Sequence, residues 1–181
     1  MLGKAKHPRA ILVLCVFAVV AIAAVAVLES SGGFAPGQAD STSQIETNYT
    51  THLLDIHYMN VSGIEQGYTK DGSVQFVDTT QKGDNVNYTG TANIGTGYNA
   101  AIFPNFALPT ILHQNYTVRV EGNQATLNST FFIQGYNDDT NLQNALVSTH
   151  VDYVRQNGAW LIKTETWDIT FASVQNLNGV G

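Results

Sequence analysis

The stretch Tyr153-Val154-Arg155-Gln156-Asn157-Gly158-Ala159-Trp160-Leu161-Ile162 decides how this chain folds. Asparagine and glycine both tolerate positive φ, so Asn157-Gly158 is the chemistry of a two-residue hairpin turn. The runs on either side, Asn144 to Gln156 and Trp160 to Ala172, therefore read as antiparallel strands. The same signal recurs upstream, where Gly122-Asn123 separates Leu112 to Glu121 from Gln124 to Tyr136. The second half of the chain is thus predicted to be an antiparallel meander.

Upstream of the meander the periodicity changes. Thr91 to Phe103 has Ile94, Tyr98 and Ala101 or Ile102 at helical spacing. Before it, a turn at Lys70-Asp71-Gly72 leads into Ser73-Val74-Gln75-Phe76-Val77-Asp78, an alternating strand with Val74, Phe76 and Asp78 on one face. A short helix is expected from Ser62 to Tyr68. A longer one, capped by Ser41 or Thr42, places Ile45, Tyr49, Leu53 and Ile56 or Tyr58 on its apolar side. Two helices, one strand, a third helix and then a meander make an α+β domain, with about three helices packed on one face of a curved, mainly antiparallel sheet.

The amino terminus has a different character. Lys4, Lys6 and Arg9 precede an uncharged hydrophobic run from Ala10 to Leu28, and every acidic residue follows it. Nineteen residues rising about 1.5 Å each approach the ~30 Å hydrocarbon core, so residues 10–28 read as a transmembrane helix. Retained basic residues orient its amino terminus, residues 1–9, to the cytoplasm and the domain to the outside. The alternative is a cleaved signal peptide, for which Ala24-Val25-Ala26 offers a small-x-small site, leaving the domain secreted. Residues 29–44, rich in Ser, Gly and Pro, read as a flexible linker, 45–175 as the domain and 176–181 as a tail.

Composition narrows the function. The only cysteine, Cys15, lies in the hydrophobic run, so the domain carries no disulfide, thiol nucleophile or cysteine-ligated zinc. Beyond that run Lys70, Lys82, Arg119, Arg155 and Lys163 face all the acidic residues of a chain with net charge −6, which argues against a nucleic-acid partner. His52, His57, His113 and His150 lack metal-ligand spacing, and no phosphate loop or nucleophile elbow is present, so no metal and no cofactor are expected. Asn48, Asn60, Asn87, Asn115 and Asn128 each begin an N-glycosylation acceptor triplet. Asn115 and Asn128 occupy strand positions opposite to those of Tyr116 and Phe131, as on an exposed sheet face.

Several local strings, in this order, carry a family likeness: Asn60-Val61-Ser62-Gly63-Ile64, Tyr68-Thr69-Lys70-Asp71-Gly72-Ser73-Val74, Tyr88-Thr89-Gly90, and Tyr153 to Ile162. Across about residues 45 to 172 the chain resembles the superfamily of nuclear transport factor 2, SnoaL-like cyclases and ketosteroid isomerase. The resemblance implies a cone-shaped cystatin-like fold with a pocket between helices and concave sheet, and often pairing through the convex face. It also implies where chemistry would sit. Phe76 takes the place of the general base, a departure that argues against isomerase chemistry. His52 takes the place of a tyrosine, and Asp152 that of the acid that stabilises an oxyanion, with His150 projecting from the same strand face. Asp78 is a substitute base at the pocket mouth.

Tyr49, Tyr58, Tyr68, Phe76, Tyr98, Phe103 and Trp167 are candidate pocket walls for an apolar ligand. The leading expectation is a non-enzymatic, extracytoplasmic, membrane-anchored module that binds a small apolar ligand or an envelope protein. One alternative is a lyase or isomerase acting on a carbonyl compound through Asp152, His150 and His52. Another is a structural envelope component, with homodimerisation through the sheet.

Overall fold

The computed structural model describes residues 38–80, 85–137, 139 and 141–172. Helix α1 (Gln38–His57) is followed by α2 (Val61–Gln66), strands β1 (Tyr68–Asp78) and β2 (Asn85–Thr89), and α3 (Thr91–Gly97), which continues as a π-helical turn over Tyr98–Ile102. Strands β3 (Ala107–Glu121), β4 (Gln124–Tyr136), β5 (Leu142–Gln156) and β6 (Ala159–Phe171) complete the described elements. The six strands form one sheet in the order β2-β1-β6-β5-β4-β3. The α+β class and the meander are as expected: β3 to β6 run antiparallel, and the turns at Gly122 and at Asn157-Gly158 take positive φ. Strand β1 joins this meander by pairing parallel with β6, and β2 extends it antiparallel to β1.

One face of the sheet is apolar and carries the helices. Ile45, Tyr49, Leu53 and Ile56 of α1 are buried with Val74 and Phe76 of β1, Leu127, Phe131 and Ile133 of β4, and Val147, Val151 and Tyr153 of β5. Burying such side chains is worth roughly 1.5–3 kcal/mol each, which sets the register of β1, β4 and β5, because a one-residue slip would turn these groups to water. Gly97 fits the scheme sterically. A Cβ there would lie 2.5 Å from the Tyr88 ring, so glycine lets β2 close against α3.

Several boundaries differ from expectation. Helix α1 begins at Gln38, inside the stretch 29–44 read as linker, and it buries Ile56 while Tyr58 is 72% exposed. The second helix stops at Gln66, because Tyr68 already belongs to β1. Lys70-Asp71-Gly72 is an irregularity within β1 rather than a turn before it, and the register with β6 shifts between Tyr68 and Ser73. Strand β2 was not expected at all. The expected transmembrane segment at residues 10–28, with residues 1–9 and 176–181, lies outside the described residues, among which no helix is long and apolar enough to cross a membrane.

Candidate functional site

Four elements bring one polar group each to a common point beneath the helices: His52 from α1, Tyr68 from the start of β1, Tyr98 from the first position of the π-helical turn, and Glu165 from β6. A bulge in β6 puts Glu165 there. Asp152 pairs with Thr164 and Tyr153 with Ile162, so Lys163 is an extra residue in the ladder. The buried positions of β6 accordingly switch from Trp160 and Ile162 to Glu165, Trp167 and Ile169. Such insertions re-aim side chains and are common beside functional sites, as are π-helical turns.

The Glu165 Oε2 atom accepts a hydrogen bond from Tyr98 Oη at 2.8 Å and a very close one from Tyr68 Oη, and it lies 3.3 Å from His52 Nε2. The phenol of Tyr98 also sits 3.2 Å from His52 Nε2, so the four groups are mutually linked. Side chains of His52 and Glu165 are 3% and 0% exposed. Burial pushes the Glu165 carboxyl up, but the facing His52 and the hydrogen bonds from His52, Tyr68 and Tyr98 outweigh it and hold it below the ordinary carboxylate range. Burial and then the Glu165 charge push the Tyr68 and Tyr98 phenols well above their ordinary value, so both remain neutral donors.

Two buried polar atoms of the cluster have no hydrogen-bond partner among the described residues: the Glu165 Oε1 acceptor and His52 Nδ1. The surroundings are aromatic. The Trp167 ring stands edge-on to Tyr98 (5.9 Å), Phe76 (6.0 Å) and Phe131 (5.5 Å), and its indole N–H is also unpartnered. Tyr49 lies further along the interior, hydrogen-bonded to Thr149 at 2.9 Å. The surroundings of the cluster are thus buried and apolar, with an ionised carboxylate at their centre. A hydrogen-bond donor brought to Glu165 Oε1 would satisfy that carboxylate.

Of the residues singled out from sequence, His52, Tyr49, Tyr68, Phe76, Tyr98, Phe103 and Trp167 all face this interior. Tyr58 does not. His150 and Asp152 are placed elsewhere, correcting the expectation that they share the pocket. The buried residues of β5 are Ala145, Val147, Thr149, Val151 and Tyr153, so the intervening positions face outward. There His150 and Asp152 are 53% and 44% exposed, with His150 Nδ1 2.8 Å from Asn128 Oδ1 and Asp152 accepting from Thr126 and Thr164. Asp78 accepts from the backbone N–H and hydroxyl of Thr80, holding the end of β1. Glu165, the centre of the cluster, was not singled out from sequence. The signal that could have found it is the switch from even to odd apolar positions between Trp160-Ile162 and Trp167-Ile169.

No protein-family profile and no curated protein matches the sequence. Solved structures do. A hexachlorocyclohexane dehydrochlorinase, LinA-type3, from Novosphingobium barchaimii aligns with a TM-score of 0.63 at 13% identity, over 79% of this chain and 94% of its own. A nuclear transport factor 2-like superfamily protein from Salmonella enterica gives 0.63 at 15% identity, over 80% and 99%. A protein of the same kind and of unknown function from Pseudomonas putida gives 0.58 at 17%, over 76% and 92%. At these identities the likeness is one of architecture: the chain has the nuclear transport factor 2-like, cystatin-like cone fold.

Proposed function

We propose that this protein is a membrane-anchored, extracytoplasmic module that binds a small neutral molecule with a largely apolar body and a hydrogen-bond-donating group, such as a hydroxyl, without transforming it. The observation that carries the reading is the aromatic interior with two unpartnered polar atoms, the Glu165 Oε1 acceptor and His52 Nδ1. Ligand sites of this kind are mostly apolar with a few polar groups that fix orientation. Anchoring and export are supported by the uncharged run Ala10 to Leu28 behind Lys4, Lys6 and Arg9. Native mass spectrometry of the protein purified from its own membranes tests the binding: one equivalent of a neutral compound should be retained and released on denaturation. It should be lost from Tyr98→Phe and Glu165→Gln variants that still fold. An empty wild-type protein would overturn it.

A second reading is favoured by one feature. An imidazole whose Nε2 is held by a carboxylate and whose Nδ1 is unpartnered is the arrangement of an oriented general base. In that case the domain would abstract a proton from a carbonyl compound, with His52 as base and Glu165 as positioning residue. Loss of deuterium exchange α to the carbonyl in His52→Ala, across a panel of neutral ketones, separates catalysis from binding.

A further inference from the structure

The five glycosylation triplets fall into two structural groups. Asn48 donates its Nδ2 to the Trp160 carbonyl at 3.0 Å. Asn60 caps α2: its Oδ1 accepts from the Gly63 N–H and its Nδ2 donates to Asp55 at 2.7 Å. Both amide nitrogens are engaged in holding α1 or α2 in place.

The other three lie on strands and point the same way. Asn87 on β2 pairs with Gln75, whose neighbours Val74 and Phe76 are buried, so Asn87 faces outward. Asn115 on β3 alternates with Tyr116, which meets Tyr49 of α1 on the inner side. Asn128 on β4 lies between the buried Leu127 and Ser129. All three asparagines are exposed, and so are Thr89, Thr117 and Thr130, because residues two apart on a strand share a face. The two triplets on β3 and β4 interlock, with Asn115 opposite Thr130 and Thr117 opposite Asn128. No hydrogen bond engages the side-chain amides of Asn87 and Asn115 among the described residues. Asn128 receives its bond from His150 on the oxygen, which leaves the nitrogen outward. Strands β2 and β3 are the two edges of the sheet.

We infer that the outer face of the sheet is a glycan-bearing face, modified at Asn87, Asn115 and Asn128, while Asn48 and Asn60 stay bare. The co-reactant is a lipid-linked oligosaccharide. A bond forms between asparagine Nδ2 and the anomeric C1 of the sugar, the C1–O bond to the lipid phosphate breaks, the amide loses one proton, and the lipid phosphate leaves. Glycans there would also keep two copies from pairing sheet to sheet. The inference rests on the extracytoplasmic reading, and its test distinguishes the two.

Intact cells are treated with external protease, and glycopeptides of the full-length protein from native membranes are analysed in parallel. An accessible domain with sugar on Asn87, Asn115 and Asn128, and none on Asn48 or Asn60, is the expected result. Thr89→Ala, Thr117→Ala and Thr130→Ala should each remove one glycan's mass without changing the circular dichroism of the protein. An accessible domain with all three asparagines bare overturns the glycan face, as does sugar on Asn48 or Asn60. A protease-protected domain overturns the extracytoplasmic reading, and the glycan face with it.

Discussion

Two histidine–carboxylate pairs sit on opposite faces of one sheet, His52–Glu165 at 3.3 Å inside and His150–Asp152 at 3.4 Å outside. Chemically they are alike. Their difference is the solvent, since the inner side chains are 3% and 0% exposed and the outer ones 53% and 44%. At such separations unit charges attract by roughly 1 kcal/mol in water and several times that in a protein interior. The inner carboxylate therefore depends on its three donors, whereas the outer one is already served by water. A short spacing between an acid and a histidine says little until burial is known.

The largest break in this contrast should come from Glu165→Ala. Removing one member of a buried pair leaves the others desolvated, at about 3–5 kcal/mol, so urea unfolding should show a loss of that size and the melting temperature should fall by roughly 10–15 °C. Tyr98→Phe removes one hydrogen bond to the carboxylate and should cost about 1.5–3 kcal/mol in the same assay. Acid unfolding sharpens the point. With its folded pKa held below the unfolded value, Glu165 binds fewer protons in the native state. Its stabilisation is therefore complete above the ordinary carboxylate range and is lost as pH falls through that range toward the lower folded pKa. The stability gap between wild type and Glu165→Gln, measured by denaturant titration at stepped pH, should accordingly narrow on acidification; a gap that widens would contradict an ionised Glu165. Smallest of all, Asp152→Ala should change stability by no more than about 1 kcal/mol, since half-exposed pairs contribute little.

Much of this architecture is legible in the chain because its cues are local. Asn157-Gly158 and Gly122-Asn123 announce their hairpins through residues that tolerate positive φ. The inner face of β5 could likewise be read from Ala145, Val147, Val151 and Tyr153, and that alternation already assigns His150 and Asp152 to the outside. Strand β2 gives no such cue: Asn85-Val86-Asn87-Tyr88-Thr89 is a five-residue edge strand with one partly buried side chain, Tyr88, so it carries almost no hydrophobic period. Glu165 was hidden by a bulge in the pairing with β5, which shows in β6 itself only as the change of phase between Trp160-Ile162 and Trp167-Ile169. His52, Tyr68 and Tyr98 were legible as inward residues, but the charge that organises them was not.

The parallel pairing of β1 with β6 also fixes when the domain can form. Tyr68 meets Glu165 across 97 positions of sequence, whereas the β3 to β6 hairpins close locally. Loop closure over such spans is slow compared with hairpin formation. The last of the described strands, β6, lies inside the sheet, with β1 on one side and β5 on the other. Helix α1, although made early, therefore waits for β6 before its histidine meets Glu165, and a chain halted before Ala159 leaves β1 without that neighbour. The inner cluster is therefore among the final contacts to close.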